Sequence, residues 1–255
     1  VTGAAHYFGD LNTRAAFNRP AFSGGIFVRK NFGSYTALRL AATYGHVRYA
    51  DKYNLKNEWQ KGRNLSFESN IFEFTAQGDF NFYKYEPGSD YYRYTPYITL
   101  GVGLFTYDPY AWFKNSKTGA LDKVMLRNFG TEGQLSGNPE YESPYTSMAI
   151  CVPLGVGMKF SLSRKTNLIF EAGYRFTNTD YLDGVSTIYP DETKPGISRA
   201  LMLISDRSSN QSYSKGGATA VNPSRQRGYS KQADSYMFAH VGLSINIITF
   251  KCPSY

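Results

Sequence analysis

Seven charged residues stand where a β-strand would turn each of them to the same side: Arg29, Arg39, Glu73, Asp79, Lys159, Glu171 and Arg175. Enclosed together, such groups could relay protons or ions, or they could neutralise one another as a plug of salt bridges. An unpaired buried charge is costly, so mutual pairing is the expected outcome. Few other reactive groups accompany them. His6, His46 and His240 are the only histidines, and they lie far apart without zinc-ligand spacing. The chain has no Gly-x-Ser-x-Gly elbow, no P-loop and no carboxylate pair in a glycosidase-like setting. Gly101-Val102-Gly103 and Gly155-Val156-Gly157 fall inside apolar alternation, where small residues relieve crowding, so they do not read as nucleotide loops. The expectation is no enzyme activity, no cofactor and no metal.

Two cysteines, Cys151 and Cys252, are too few for a disulfide framework. Cys151 falls in the polar-facing register and Cys252 beyond the last apolar register. At different heights they would not bridge within one chain. Cys252 is therefore a candidate for a disulfide to another molecule.

The elements that would position these groups are strands. From Phe72 the chain alternates Phe72, Phe74, Ala76, Gly78, Phe80 and Phe82 with Glu73, Thr75, Gln77, Asp79 and Asn81. Successive strand side chains face opposite sides, so one face is apolar and the other polar and charged. The pattern recurs in eight predicted strands: 1–8, 22–30, 36–46, 67–84, 97–107, 146–160, 167–177 and 235–250. Short connections alternate with long ones. The short ones cover 31–35, 85–95 and 161–166; the long ones cover 9–21, 47–68, 108–145 and 178–234. Face alternation and loop alternation together predict an all-β fold, an eight-stranded antiparallel transmembrane β-barrel with an apolar exterior and polar interior. A lipocalin-like soluble barrel would reverse the faces, and a β-sandwich would wet one face of each sheet. Neither explains why every second connection is long.

Composition fits. Aromatics are 16% of the 255 residues and charged residues 19%, below the roughly 25% of soluble domains. Mean hydropathy is −0.42, as lumen and loops dilute the apolar face. No run approaches the ~18 apolar residues of a membrane helix. Val1, with no basic-then-apolar leader before it, reads as the start of a processed or trimmed form. Residues 1–250 are expected to be the barrel, with 251–255 a periplasmic tail and both termini periplasmic. Net charge is +8. The basic stretch 199–232 matches lipopolysaccharide phosphates better than nucleic acid, because no nucleic-acid motif accompanies it.

Several stretches together resemble the PorG family of the type IX secretion system. They are Tyr7-Phe8-Gly9-Asp10-Leu11-Asn12, Arg63-Asn64-Leu65-Ser66-Phe67, Phe82-Tyr83-Lys84-Tyr85-Glu86-Pro87-Gly88-Ser89 and Thr95-Pro96-Tyr97, followed by Gly130-Thr131-Glu132-Gly133-Gln134, Thr179-Asp180-Tyr181-Leu182-Asp183, Tyr189-Pro190-Asp191 and Ser205-Asp206-Arg207. The resemblance runs over nearly the whole chain. It implies a small OmpA-like outer-membrane barrel, without enzyme activity, that associates with a periplasmic ring of the lipoprotein PorK and of PorN. The contact residues are expected on the periplasmic side, at Tyr85, Tyr91, Tyr92, Arg93, Lys251, Cys252 and Tyr255. Tyr and Arg are the residue types that dominate binding hot spots. The alternative is a free-standing barrel that binds lipid or adhesion partners through its long loops.

Overall fold

Alternating side chains fold the described residues into ten antiparallel strands, eight of which close a barrel. The computed structural model describes residues 1–54, 58–114, 119–208 and 225–247. The barrel strands are β1 (Thr2–Phe8), β2 (Ala21–Asn31), β3 (Thr36–Ala50), β4 (Ser66–Asn81), β5 (Tyr94–Thr106), β8 (Met148–Ser161), β9 (Thr166–Thr177) and β10 (Ser235–Ile245). Between β5 and β8 stands a hairpin, β6 (Tyr110–Lys114) and β7 (Leu121–Met125). Neighbouring strands pair around the barrel, and the pairing of β1 with β10 closes it, from Thr2 opposite Val241 to Phe8 opposite Ser235.

The register follows from the pattern. A slip of one residue would exchange the apolar and charged faces. In β4, Phe72, Phe74 and Phe80 point outward, and Glu73, Gln77 and Asp79 point into the lumen. Outward residues of the neighbours match them: Leu38 and Leu40 on β3, Leu100, Val102 and Leu104 on β5, and Ile150, Val152, Leu154 and Val156 on β8.

The eight predicted strands correspond to these eight, with ends shifted by a few residues. β3 is longer than predicted because Val47, Tyr49 and Ala50 pack inside the long-loop end. The last predicted strand reaches residues 248–250, which lie outside the described set, as does the 251–255 tail. The long connection 108–145 holds the β6–β7 hairpin and α2 (Leu126–Phe129). Period-two alternation over five residues is too short to separate such a hairpin from loop sequence. Two more short helices, α1 (Glu58–Arg63) and α3 (Arg199–Ser205), lie in the other long connections. No described helix is long and apolar enough to cross a membrane.

Candidate functional site

Three regions carry functional groups: the lumen, the cap formed by the long loops, and the face formed by the short turns.

The lumen is filled by charge. Asp79 Oδ2 accepts from Lys159 Nζ at 3.1 Å and lies 2.8 Å from Arg29 Nε, while Arg39 Nε stands 3.7 Å from Asp79 Oδ1. Arg39 also reaches across to Glu171 and Gln77, and the Tyr97 hydroxyl donates to Glu171 at 2.5 Å. Nearer the long loops, Arg175 Nε donates to Glu73 at 3.2 Å, and the Tyr236 hydroxyl donates to the same carboxylate at 2.7 Å. All seven charged residues singled out in the sequence thus meet in one column, four cations against three carboxylates. Eight strands enclose a bore just wide enough for such side chains. The space left beside Arg39, Glu171, Arg175 and His240 is a cavity of about 20 Å³, room for roughly one water molecule. Ser23 Oγ lies 2.9 Å from His240 Nε2, a Ser–His pair the sequence did not reveal. Ser23 is fully buried, and the small cavity touches His240 but not Ser23. Cys151 is buried with its Sγ 3.8 Å from Glu73.

The cap is the part the sequence did not show as a site. Asp51 accepts from Arg63 at 2.7 Å through both oxygens, and Arg63 also donates to the Arg227 carbonyl. Arg227 donates to Glu132, whose carboxylate accepts from the amides of Ser186 and Thr187. The Tyr7 hydroxyl, at the end of β1, lies 2.5 Å from Asp183 Oδ2 and 3.1 Å from Asp234 Oδ1. Asp10 accepts from the Tyr229 amide. Burial pushes the Asp183 and Asp234 carboxyls well above the ordinary aspartate range, and the neighbouring carboxylates push the same way. Burial likewise raises Asp10 to about 6 and Asp180 to about 8. Asp10, Arg63, Glu132, Asp180, Asp183, Tyr189 and Ser205 all come from the stretches that carry the family resemblance. Their spacing along the chain hides their convergence; the clue available in sequence was polar residues inside those motifs.

The short-turn face joins residues 32–35, 82–93 and 162–165. Of the residues expected there, Tyr91, Tyr92 and Arg93 are exposed. Lys84 Nζ sits over the Tyr92 ring at 4.5 Å and pairs with Glu86 at 2.9 Å. Tyr85 does not belong to the surface. It turns inward and its hydroxyl donates to Asn167 at 2.8 Å, closing this mouth of the lumen. A hydroxyl that reaches an Asn inside the mouth gains a partner, while its ring leaves water. Lys251, Cys252 and Tyr255 lie outside the described residues.

Residues 1–129 match the family described as a domain of unknown function, DUF6089. The chain belongs to that family. No curated protein matches it. The DUF6089 match spans β1 to α2, and so includes Tyr7, Arg63, Glu73 and Asp79 but not their partners Asp183 and Asp234, Arg227, Arg175 and Lys159.

Proposed function

We propose that this DUF6089 barrel is a non-enzymatic outer-membrane component of the type IX secretion machinery, holding the periplasmic PorK/PorN ring through its short-turn face. The observation that carries the membrane part is the apolar belt. Along β4 and one residue beyond it, the belt runs from Phe72 to Phe82, bounded by Asn70 at one end and Lys84 at the other. Ten steps of ~3.3 Å along a strand tilted by ~40° give a height of about 25 Å, the height of the lipid-facing band of such barrels. Outside the belt, Tyr44 and His46 bond Asn70, and Tyr110 bonds Glu68. Polar groups of this kind belong at the level of headgroups. In such barrels the short turns face the periplasm and the long loops face outward. That orientation puts both ends of the chain in the periplasm.

A filled lumen suits an anchor better than a pore. The secretion role rests on the resemblance to the PorG family. Tyr91, Tyr92 and Arg93 are its proposed contact residues, and Lys251, Cys252 and Tyr255 are proposed as further ones. Cys252 would form the intermolecular disulfide. Lipid and lipopolysaccharide would surround the belt and outer rim. A photo-crosslinking residue placed at Tyr91 or Tyr92 in native membranes should capture ring components, while one at Leu203 on the cap should not. Capture from the cap alone would overturn the assignment.

One observation favours a second reading. Most motifs behind the resemblance build the long-loop cap, not the short-turn face. A free-standing barrel that binds lipid or adhesion partners through its loops would use that cap, and crosslinks from Leu203 would support it.

A further inference from the structure

Four aspartates crowd the underside of the cap with no cation assigned to them. Asp10, Asp180, Asp183 and Asp234 form no ion pair among the described residues; Arg63 is committed to Asp51 and Arg227 to Glu132. Asp183 and Asp234 are both fully buried, and one hydroxyl, that of Tyr7, touches an oxygen of each. Gly9 makes this approach possible: a Cβ there would lie 1.7 Å from Asp234 Oδ1 and 2.3 Å from the Tyr7 hydroxyl oxygen.

The proton count then decides the chemistry. Tyr7 has one hydroxyl hydrogen, and the 2.5 Å contact to Asp183 takes it. The second contact, 3.1 Å to Asp234 Oδ1, is filled in full when Asp234 carries a proton and donates it to the hydroxyl oxygen, which also accepts from the Leu11 amide at 3.4 Å. The other oxygen of Asp234 is occupied as an acceptor, from the Leu182 amide at 3.0 Å and the Asp183 amide at 3.4 Å. Asp183 Oδ1 likewise accepts from the Val185 amide at 2.8 Å. Two adjacent buried carboxylates cannot both ionise at neutral pH, so they hold one proton between them.

We propose that Asp183 and Asp234 share a proton through Tyr7, and that this proton latches the β9–β10 loop onto the end of β1. The groups facing the pair are Tyr7 from β1, Asp10 from the β1–β2 loop, Arg63 from α1, Tyr107 beyond β5, and Asp180 from their own loop. Of these only Arg63 is cationic, and its Nε and Nη2 already hold Asp51 while its Nη1 holds the Arg227 carbonyl. Loss of the shared proton leaves two like charges a hydroxyl apart in a dry site, and the loop is released. The shared proton makes the cap an alkaline-sensitive closure of the long-loop mouth, whatever machine the barrel serves.

The test uses the full chain folded in lipid vesicles. A protease, its rate at each pH normalised to an unstructured peptide, is applied from pH 6 to pH 10. In the wild type, cleavage between residues 179 and 190, beside Asp183, should rise with pH, by up to about tenfold per unit once the proton is lost. In Asp234→Asn the side-chain amide replaces the missing hydrogen and cannot ionise, so cleavage should rise far less with pH, by no more than the share that Asp180 adds near pH 8. Asp183→Asn serves the same purpose if the first variant folds poorly, with heat-shifted gel mobility reporting the intact barrel. Infrared spectra at pH 7 should show protonated carboxyl absorption that either substitution diminishes, leaving the part that belongs to Asp180. A wild-type rise no steeper than the variant's, or carboxyl absorption unchanged in both variants, overturns the latch.

Discussion

Lys159 on β8 and Asp79 on β4 meet across the lumen at 3.1 Å, and the same carboxylate neighbours Arg29 and Arg39. Asp79 is thus the single anion holding three cations. Asp79→Asn should cost roughly 3–5 kcal/mol, because it strands buried positive charge. Lys159→Met should cost less, since it removes a cation and leaves Asp79 paired with two arginines. Urea unfolding of both variants in vesicles checks the order; equal losses would mean that Asp79 is not the hub.

The same column blocks passage. Purified protein in planar bilayers should give no stable single-channel current, and Tyr85→Ala, which opens only the short-turn mouth, should give none either. Steady conductance from the wild type would show a continuous water path past Arg39 and Arg175.

Phe74 is 67% exposed within the apolar belt, two residues in from its Phe72 end. Phe74→Lys should weaken folding into vesicles by up to roughly 2–4 kcal/mol, the cost at the midplane, if the belt meets lipid. Lys in place of Leu203, equally exposed but on the cap, should be tolerated. Unimpaired folding of Phe74→Lys would point to an aqueous exterior.

The cap also imprints a pH dependence on stability. Burial raises Asp180 from 3.8 to about 8. A folded-state value above the unfolded one means that the folded form holds the proton more tightly. Its contribution is therefore full below about 3.8 and is lost as pH rises through about 8. Asp180→Asn should flatten the decline in stability between those limits. Denaturation midpoints measured from pH 5 to 9 would settle it; parallel curves for wild type and variant would refute it.

The wall of the barrel was legible in the sequence because its rule is local. Phe72 to Phe82 states which face is which within one strand, and the loop lengths state how the strands connect. The lumen residues followed from the same rule: Glu73 and Arg175 share a face whether or not their pairing is known. The cap was not legible because its contacts obey no period. Tyr7 meets Asp183 and Asp234 across 176 and 227 residues, on loops whose paths no alternation fixes. Tyr85 misled for a related reason. Its neighbours Tyr91 and Tyr92 lie on the surface, and nothing in a turn sequence says which tyrosine will find Asn167.

The pairing of β1 with β10 sets the order of events in assembly. Thr2 must find Val241, and Phe8 must find Ser235, before the wall is continuous. Every earlier strand pair leaves two unsatisfied edges, and such edges invite pairing with the wrong chain. This most distant contact is entropically the slowest to form. A chain delivered strand by strand must therefore be shielded from its neighbours until β10 has arrived. Substitutions along β1 or β10 should thus lower the yield of folded barrel more than they lower the stability of barrels already closed.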